Sequence, residues 1–334
     1  MKDSIIKKIL KILAFCLYTA LFCFIAGEVG VRTFYTYFSN YNMEMWRYGA
    51  LIKQEVDREA LPFFHAPNKE GDFYGTTIKT NSLGLRDNEY PQQKKSDVQR
   101  IVMLGDSFTL GWGVSFPDIY SKQLERMLNE TGKRYEVINF GVGNYNNSME
   151  KELFDWKGAS LDPDMIILMH FVNDAEPTPR GHGRIGNFMR KHSYFLALLF
   201  DRYAKVKPLF AHDFQWQEYY KNLYLVDNQK ALDENTRAIR ELIATSRESR
   251  AKFLLVSIPE LHQLKEYPFP EVTMYVRGIA EQEKVPFLDL LPALSVHSPE
   301  TLWVSVEDTH ANAKANKIIA DELFRVITKE PSLQ

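Results

Sequence analysis

From residue 98 onward, short apolar runs alternate with segments whose apolar residues recur at helical spacing. This alternation constrains the fold more than any other feature of the chain. Ile101–Leu104 reads as the first strand, Tyr135–Phe140 as the second, Asp164–Phe171 as the third and Lys252–Pro259 as the fourth. "VPFLDLL", starting at Val285, reads as the fifth. The helical patterns between them are "DIYSKQLERMLNETG", "NSMEKELFDWKGASL", "DENTRAIRELIATSRESR" and "VTMYVRGIAEQEK", and "ANKIIADELFRVI" closes the series. Strands separated by helices imply an α/β, three-layer architecture with a central parallel sheet of about five strands, covered on both faces. Ligands gather at the carboxyl ends of such strands, so the residues just after each strand are the ones to inspect.

The N-terminus obeys a different rule. Lys2, Lys7, Lys8 and Lys11 precede an uncharged run from Ile12 to Gly27, apolar on every face, which fits a membrane helix better than a buried amphipathic one. No A-x-A site follows the run, so it is read as an uncleaved signal anchor over 1–32 rather than a secretory signal peptide. The lysines before the span predict a cytoplasmic N-terminus and a body facing outward, as in a single-pass protein of a bacterial cytoplasmic membrane. Both cysteines, Cys16 and Cys23, lie in this segment, so the globular part has no disulfide framework. A net charge of −2 gives no reason to expect a nucleic-acid partner.

Residues 33–97 read as a juxtamembrane connector with one or two short helices, an alternating stretch "TTIKTNSLGLRD" turning at Gly84, and a surface loop from Pro91 to Asp97. The remaining domain, 98–330, carries an insertion at 175–228, rich in aromatic and basic residues, that reads as a loop with a helical cap. Its Arg180, Arg184 and Arg190 suit either an anionic substrate or a solvated face.

Four strand ends carry chemistry. Gly105-Asp106-Ser107 follows the first strand, "NFGVGNYNN" (Asn139 to Asn147) the second, and Asn173-Asp174 the third. Asp308 and His310 come after the fifth, just before the last helix, where Asp308 alone would read as a helix cap. Together they match the needs of acyl transfer. A serine hydroxyl needs a base to take its proton, and His310 titrates near neutrality. An acceptor such as Asp308 holds the imidazole in one tautomer. Backbone N–H groups and a neutral amide such as Asn173 serve the tetrahedral oxyanion. Asp106 and Asp174 read as braces for their turns, and Trp112 as packing. The other histidines show no metal-ligand spacing, so neither a metal nor a cofactor is expected.

At "GDSFTLGWG", "NFGVGNYNN", "VND" and "DTHANAKAN" the chain resembles the SGNH (GDSL-like) hydrolase superfamily, specifically its bacterial membrane-anchored members. "TNSLGLRDNEYP" also looks like what accompanies that subgroup. The fold is then a flavodoxin-like three-layer sandwich. The resemblance implies Ser107 as nucleophile, His310 as base, and an oxyanion hole made of the Ser107 N–H, a glycine N–H from the second block and the Asn173 side chain. Where the family's loop has that glycine this chain has Asn144, with Gly143 just before it, and both remain candidates. Many members place the acid three residues before the histidine, which is Glu307 here; the subgroup's Asp-x-His spacing gives Asp308, the favoured of the two. Phe171 and Ala311 replace a glycine and a proline usual in the family. The expected activity is ester hydrolysis outside the cytoplasmic membrane, on an acyl ester substrate that includes cell-envelope glycans or lipids. O-acyl transfer to or from an envelope polysaccharide uses the same triad. A catalytically silent scaffold is the alternative outside enzymology.

Overall fold

The structure, a computed structural model, describes residues 2–37, 41–179, 192–209, 216–225 and 229–333. It divides into two compact units, Met1–Ala50 with Gly181–Asp213, and Leu51–Arg180 with Phe214–Gln334.

In the larger unit the chain starts with two small antiparallel pairs. Strand β1 (Lys53–Glu55) pairs with β2 (Phe63–His65), and β3 (Glu70–Phe73) with β4 (Thr76–Lys79). Five parallel strands follow: β5 (Val98–Gly105), β6 (Arg134–Gly141), β7 (Met165–His170), β8 (Lys252–Ser257) and β9 (Phe287–Asp289). Their order across the sheet is β6-β5-β7-β8-β9, the flavodoxin-like arrangement of a doubly wound fold. The strand order reverses between β5 and β7, so the loops after these two strands part there and leave a crevice for a ligand.

Every residue of β7 is buried, and of β5 all but Gln99, as expected of strands covered on both faces. Successive side chains take opposite faces. Ile101 and Met103 join a core with Leu124, Leu128, Ile319 and Leu323, from the Tyr120–Asn129 and Ala313–Lys329 helices. Val102 and Leu104 join another with Met149, Leu153, Ile239 and Leu242, from the Asn147–Leu153 and Gln229–Glu248 helices. The two cores are the two sides of the sandwich.

Residues 51–97, expected as a connector, belong to this unit, and Leu61, Phe64 and Leu85 are buried in its second core. Strands of three or four residues are too short to show a period in sequence, which is why they read as linker. The smaller unit holds a helix over Lys2–Tyr37; within its stretch Ile5–Tyr35 the most apolar window reaches a mean hydropathy of 2.3 and has no buried residue. At its far end Glu28 accepts hydrogen bonds from Ser193 Oγ (2.7 Å) and the Tyr194 and Phe195 amides (3.1 and 2.9 Å), capping the Tyr194–Leu209 helix. Arg180, Arg184 and Arg190 lie outside the described residues.

Candidate active site

β5 ends at Gly105 and the chain turns at once into a short helix, Ser107–Leu110. Asp106 caps it, its Oδ1 accepting from the Phe108 amide at 2.8 Å, so the expected bracing role is what the side chain performs. The glycines flanking this turn answer to close approach. A Cβ on Gly105 would lie 1.9 Å from Thr109 Oγ1, and one on Gly141, at the end of β6, 2.1 Å from the Leu110 nitrogen. The other end of the helix is held from outside the five-stranded sheet. Buried Arg86 donates to the carbonyls of Leu110 (3.0 Å), Gly111 (2.6 Å) and Val114 (2.8 Å), the first of them an oxygen that a helix end otherwise leaves without a partner.

Ser107 Oγ stands 2.8 Å from His310 Nε2, and His310 Nδ1 2.6 Å from Asp308 Oδ1. The acceptor at Nδ1 fixes the tautomer with its proton there, which leaves Nε2 free to accept from the serine hydroxyl. Asp106 Oδ2, at 3.5 Å from Ser107 Oγ, is too far to compete. Both oxygens of Asp308 are occupied. Oδ1 also accepts from the His310 amide (3.1 Å), and Oδ2 from Trp112 Nε1 (2.8 Å). Burial alone would raise this carboxyl, but the donors from His310 and Trp112 outweigh it and hold it below the usual range.

Asp308 and His310 are carried by a hairpin, β10 (Trp303–Ser305) with β11 (Asp308–Ala311), that the sequence did not reveal. The cap of the following helix is Asn312, whose side chain accepts from the Ala315 amide at 3.1 Å. Glu307 sits exposed at the hairpin turn, while Asp308 is buried.

After β6, Asn144 takes a left-handed backbone conformation with φ 64°. Neither its N–H nor that of Ser107 donates to any group among the described residues. After β7, Asn173 Nδ2 donates one hydrogen to Asp106 Oδ2 at 3.2 Å, and its second meets no partner among the described residues. A cleft of about 360 Å³ opens beside Asn144 and Asn173, with Phe63 and Tyr145 on its wall and Lys53 and Glu176 as its charged groups. Phe171 packs behind the nucleophile turn. Its ring lies 4.4 Å from that of Phe108, which in turn lies 5.1 Å from the His310 imidazole.

Asp174 braces its loop, with Oδ2 accepting from the Phe171 amide (2.8 Å) and Asn147 Nδ2 (3.1 Å). Sequence reasoning assigned Trp112 to packing and gave no task to Arg86 or Lys53. Trp112 lies within "GDSFTLGWG" and Arg86 within "TNSLGLRDNEYP", whereas no motif marked Lys53.

A sequence profile of the GDSL-like Lipase/Acylhydrolase family matches residues 103–318. No curated protein matches the chain. Among solved structures, TesA is 14% identical, with a TM-score of 0.46 over 70% of this chain and 100% of its own. Axe2, an acetylxylan esterase from Geobacillus stearothermophilus, is 17% identical, with a TM-score of 0.47 over 70% of this chain and 95% of its own. A putative lipolytic protein of the G-D-S-L family from Desulfitobacterium hafniense DCB-2 is 13% identical, with a TM-score of 0.43 over 68% and 99%.

Proposed function

We propose that this chain, which belongs to the family of GDSL-like lipases and acylhydrolases, is a membrane-anchored serine ester hydrolase that works through an acyl-enzyme on Ser107. The observation that carries the reading is the unbroken relay from Ser107 Oγ through His310 to Asp308, at 2.8 and 2.6 Å. Ser107 Oγ attacks the acyl carbon as His310 Nε2 takes its proton. The negative charge that forms on the carbonyl oxygen is met by the N–H groups of Ser107 and Asn144 and by the free hydrogen of Asn173 Nδ2. His310 then gives its proton to the departing alkoxide, and the alcohol leaves. Water, deprotonated by the same nitrogen, attacks the acyl-enzyme and releases the acid. Asp308 keeps the imidazole oriented and stabilises its charged form, and Trp112 holds Asp308.

For the second oxyanion donor we assign Asn144 rather than Gly143. The left-handed φ is the conformation the family's glycine would supply, and Asn is among the residues that tolerate it. The bare apolar helix at Ile5–Tyr35 supports anchoring, since a span needs about 20 apolar residues. With Lys2, Lys7, Lys8 and Lys11 on the cytoplasmic side, the catalytic unit faces away from the cytoplasm. The substrate is an acyl ester of the cell envelope.

The test is hydrolysis of short-chain p-nitrophenyl esters by the full-length protein. Ser107→Ala is expected to lower kcat by at least about 10⁴-fold while leaving the melting temperature in place. Activity within a few fold of wild type would refute the reading.

A further inference from the structure

Lys53 stands on β1, ahead of the residues that the family profile matches, yet its side chain ends at the second-block loop. Its Nζ donates to the Gly143 carbonyl at 2.5 Å and lies 3.3 Å from Asn144 Oδ1. The same nitrogen sits 4.2 Å from the centroid of the Phe63 ring on the paired strand β2, so its approach is set by a two-stranded scaffold.

We propose that Lys53 is a positioning residue for the oxyanion site: by anchoring the Gly143 carbonyl it aims the Asn144 N–H at the oxygen of the tetrahedral intermediate. The Gly143 carbonyl and the Asn144 N–H belong to one trans peptide plane and point in opposite directions. Whatever holds the carbonyl on one side therefore fixes the N–H on the other. The need is real at this position. A left-handed conformation is strained for a residue that carries a Cβ, although Asn tolerates it better than most. Turning the peptide over would relieve that strain, and it would also put a carbonyl oxygen where the oxyanion forms. With Lys53 in place, the turned peptide would instead face its N–H toward another donor. The contact to Asn144 Oδ1 adds a second hold on the same residue. A glycine in this position carries no such strain and would need no such hold.

This inference rests on the proposed role of the Asn144 N–H. It is tested on the full-length protein with a short-chain ester and with an alkylboronic acid, which forms a tetrahedral adduct on the serine. K53M is expected to lower kcat about 10- to 100-fold, less than the complete loss of a donor. KM should stay within about twofold, and boronate affinity should weaken in proportion to kcat. K53R, which keeps a donor within reach of the carbonyl, should retain the larger share of kcat, and K53Q replaces K53M should the latter not fold. A kcat within twofold of wild type would overturn the proposal. So would a rise in KM alone with boronate binding intact, the signature of a lysine that merely binds substrate. If Ser107→Ala is inactive while K53M matches wild type, only this inference fails; if Ser107→Ala is active, the acyl-enzyme reading fails with it.

Discussion

Both oxygens of Asp308 are engaged: the two N–H groups of His310 take one and Trp112 takes the other. An amide in its place would put an NH₂ against at least one of these donors and favour the wrong tautomer of His310. Asp308→Asn is accordingly expected to lower kcat roughly a thousandfold or more, whereas Glu307→Gln, on an exposed turn residue, should stay within about twofold. Steady-state kinetics on the two variants decide between the two acids, and the reverse ranking would move the acid to Glu307. Spacing alone left both residues open because they are neighbours in sequence. Burial separates them, and burial comes from the hairpin. Trp112 was invisible for a related reason: its partner lies 196 residues away, and nothing local in "GWG" tells a packing indole from a donor.

At the scale of elements, the helix Asn147–Leu153 meets the loop after β7 through buried acids. Asn147 Nδ2 donates to Glu150 Oε2 (2.7 Å) and to Asp174 Oδ2 (3.1 Å), and Asn235 Nδ2 reaches across from the Gln229–Glu248 helix to the Asp174 carbonyl (2.6 Å). Burial, reinforced by the charge of Asp106, pushes Glu150 up to about 8. A carboxyl raised on folding binds its proton more tightly in the native state. Its contribution is full below the usual carboxylate range and is lost as pH climbs toward about 8, at up to about 1.4 kcal/mol per pH unit. His65 and His170, pushed down to about 3 by burial, act in the opposite sense below about pH 6.5. The difference between wild type and Glu150→Gln therefore isolates the acid. The melting temperature of Glu150→Gln, relative to wild type, should rise between pH 5 and pH 8. A constant difference would mean that Glu150 is ionised throughout. None of this network was legible in sequence, where Glu150 is one polar residue of an amphipathic helix. The helix itself was legible, because Met149 and Leu153 mark its buried face.

For the whole molecule, the sheet was the part most open to reading. Its strands are buried on both faces, so each appears in sequence as a nearly unbroken apolar run. The strand-end rule brings Ser107, the Gly143-Asn144 pair, Asn173 and His310 to one rim from the sequence alone. What the sequence hid is the support around that rim. Lys53 and Arg86 come from segments with short strands and no period, and they act on backbone carbonyls, which leave no mark in a side-chain pattern. The apolar helix at Ile5–Tyr35 was legible because hydropathy needs no partner to be read. The central claim joins these parts in one statement: Ser107 is an activated nucleophile. Its most direct measurement is mass-spectrometric detection of the adduct left by a fluorophosphonate probe on the full-length folded protein. The adduct is expected on Ser107, absent in Ser107→Ala and strongly slowed in His310→Ala. Folded wild-type protein that carries no adduct on Ser107, or Ser107→Ala that is labelled as fast as wild type, would contradict the account.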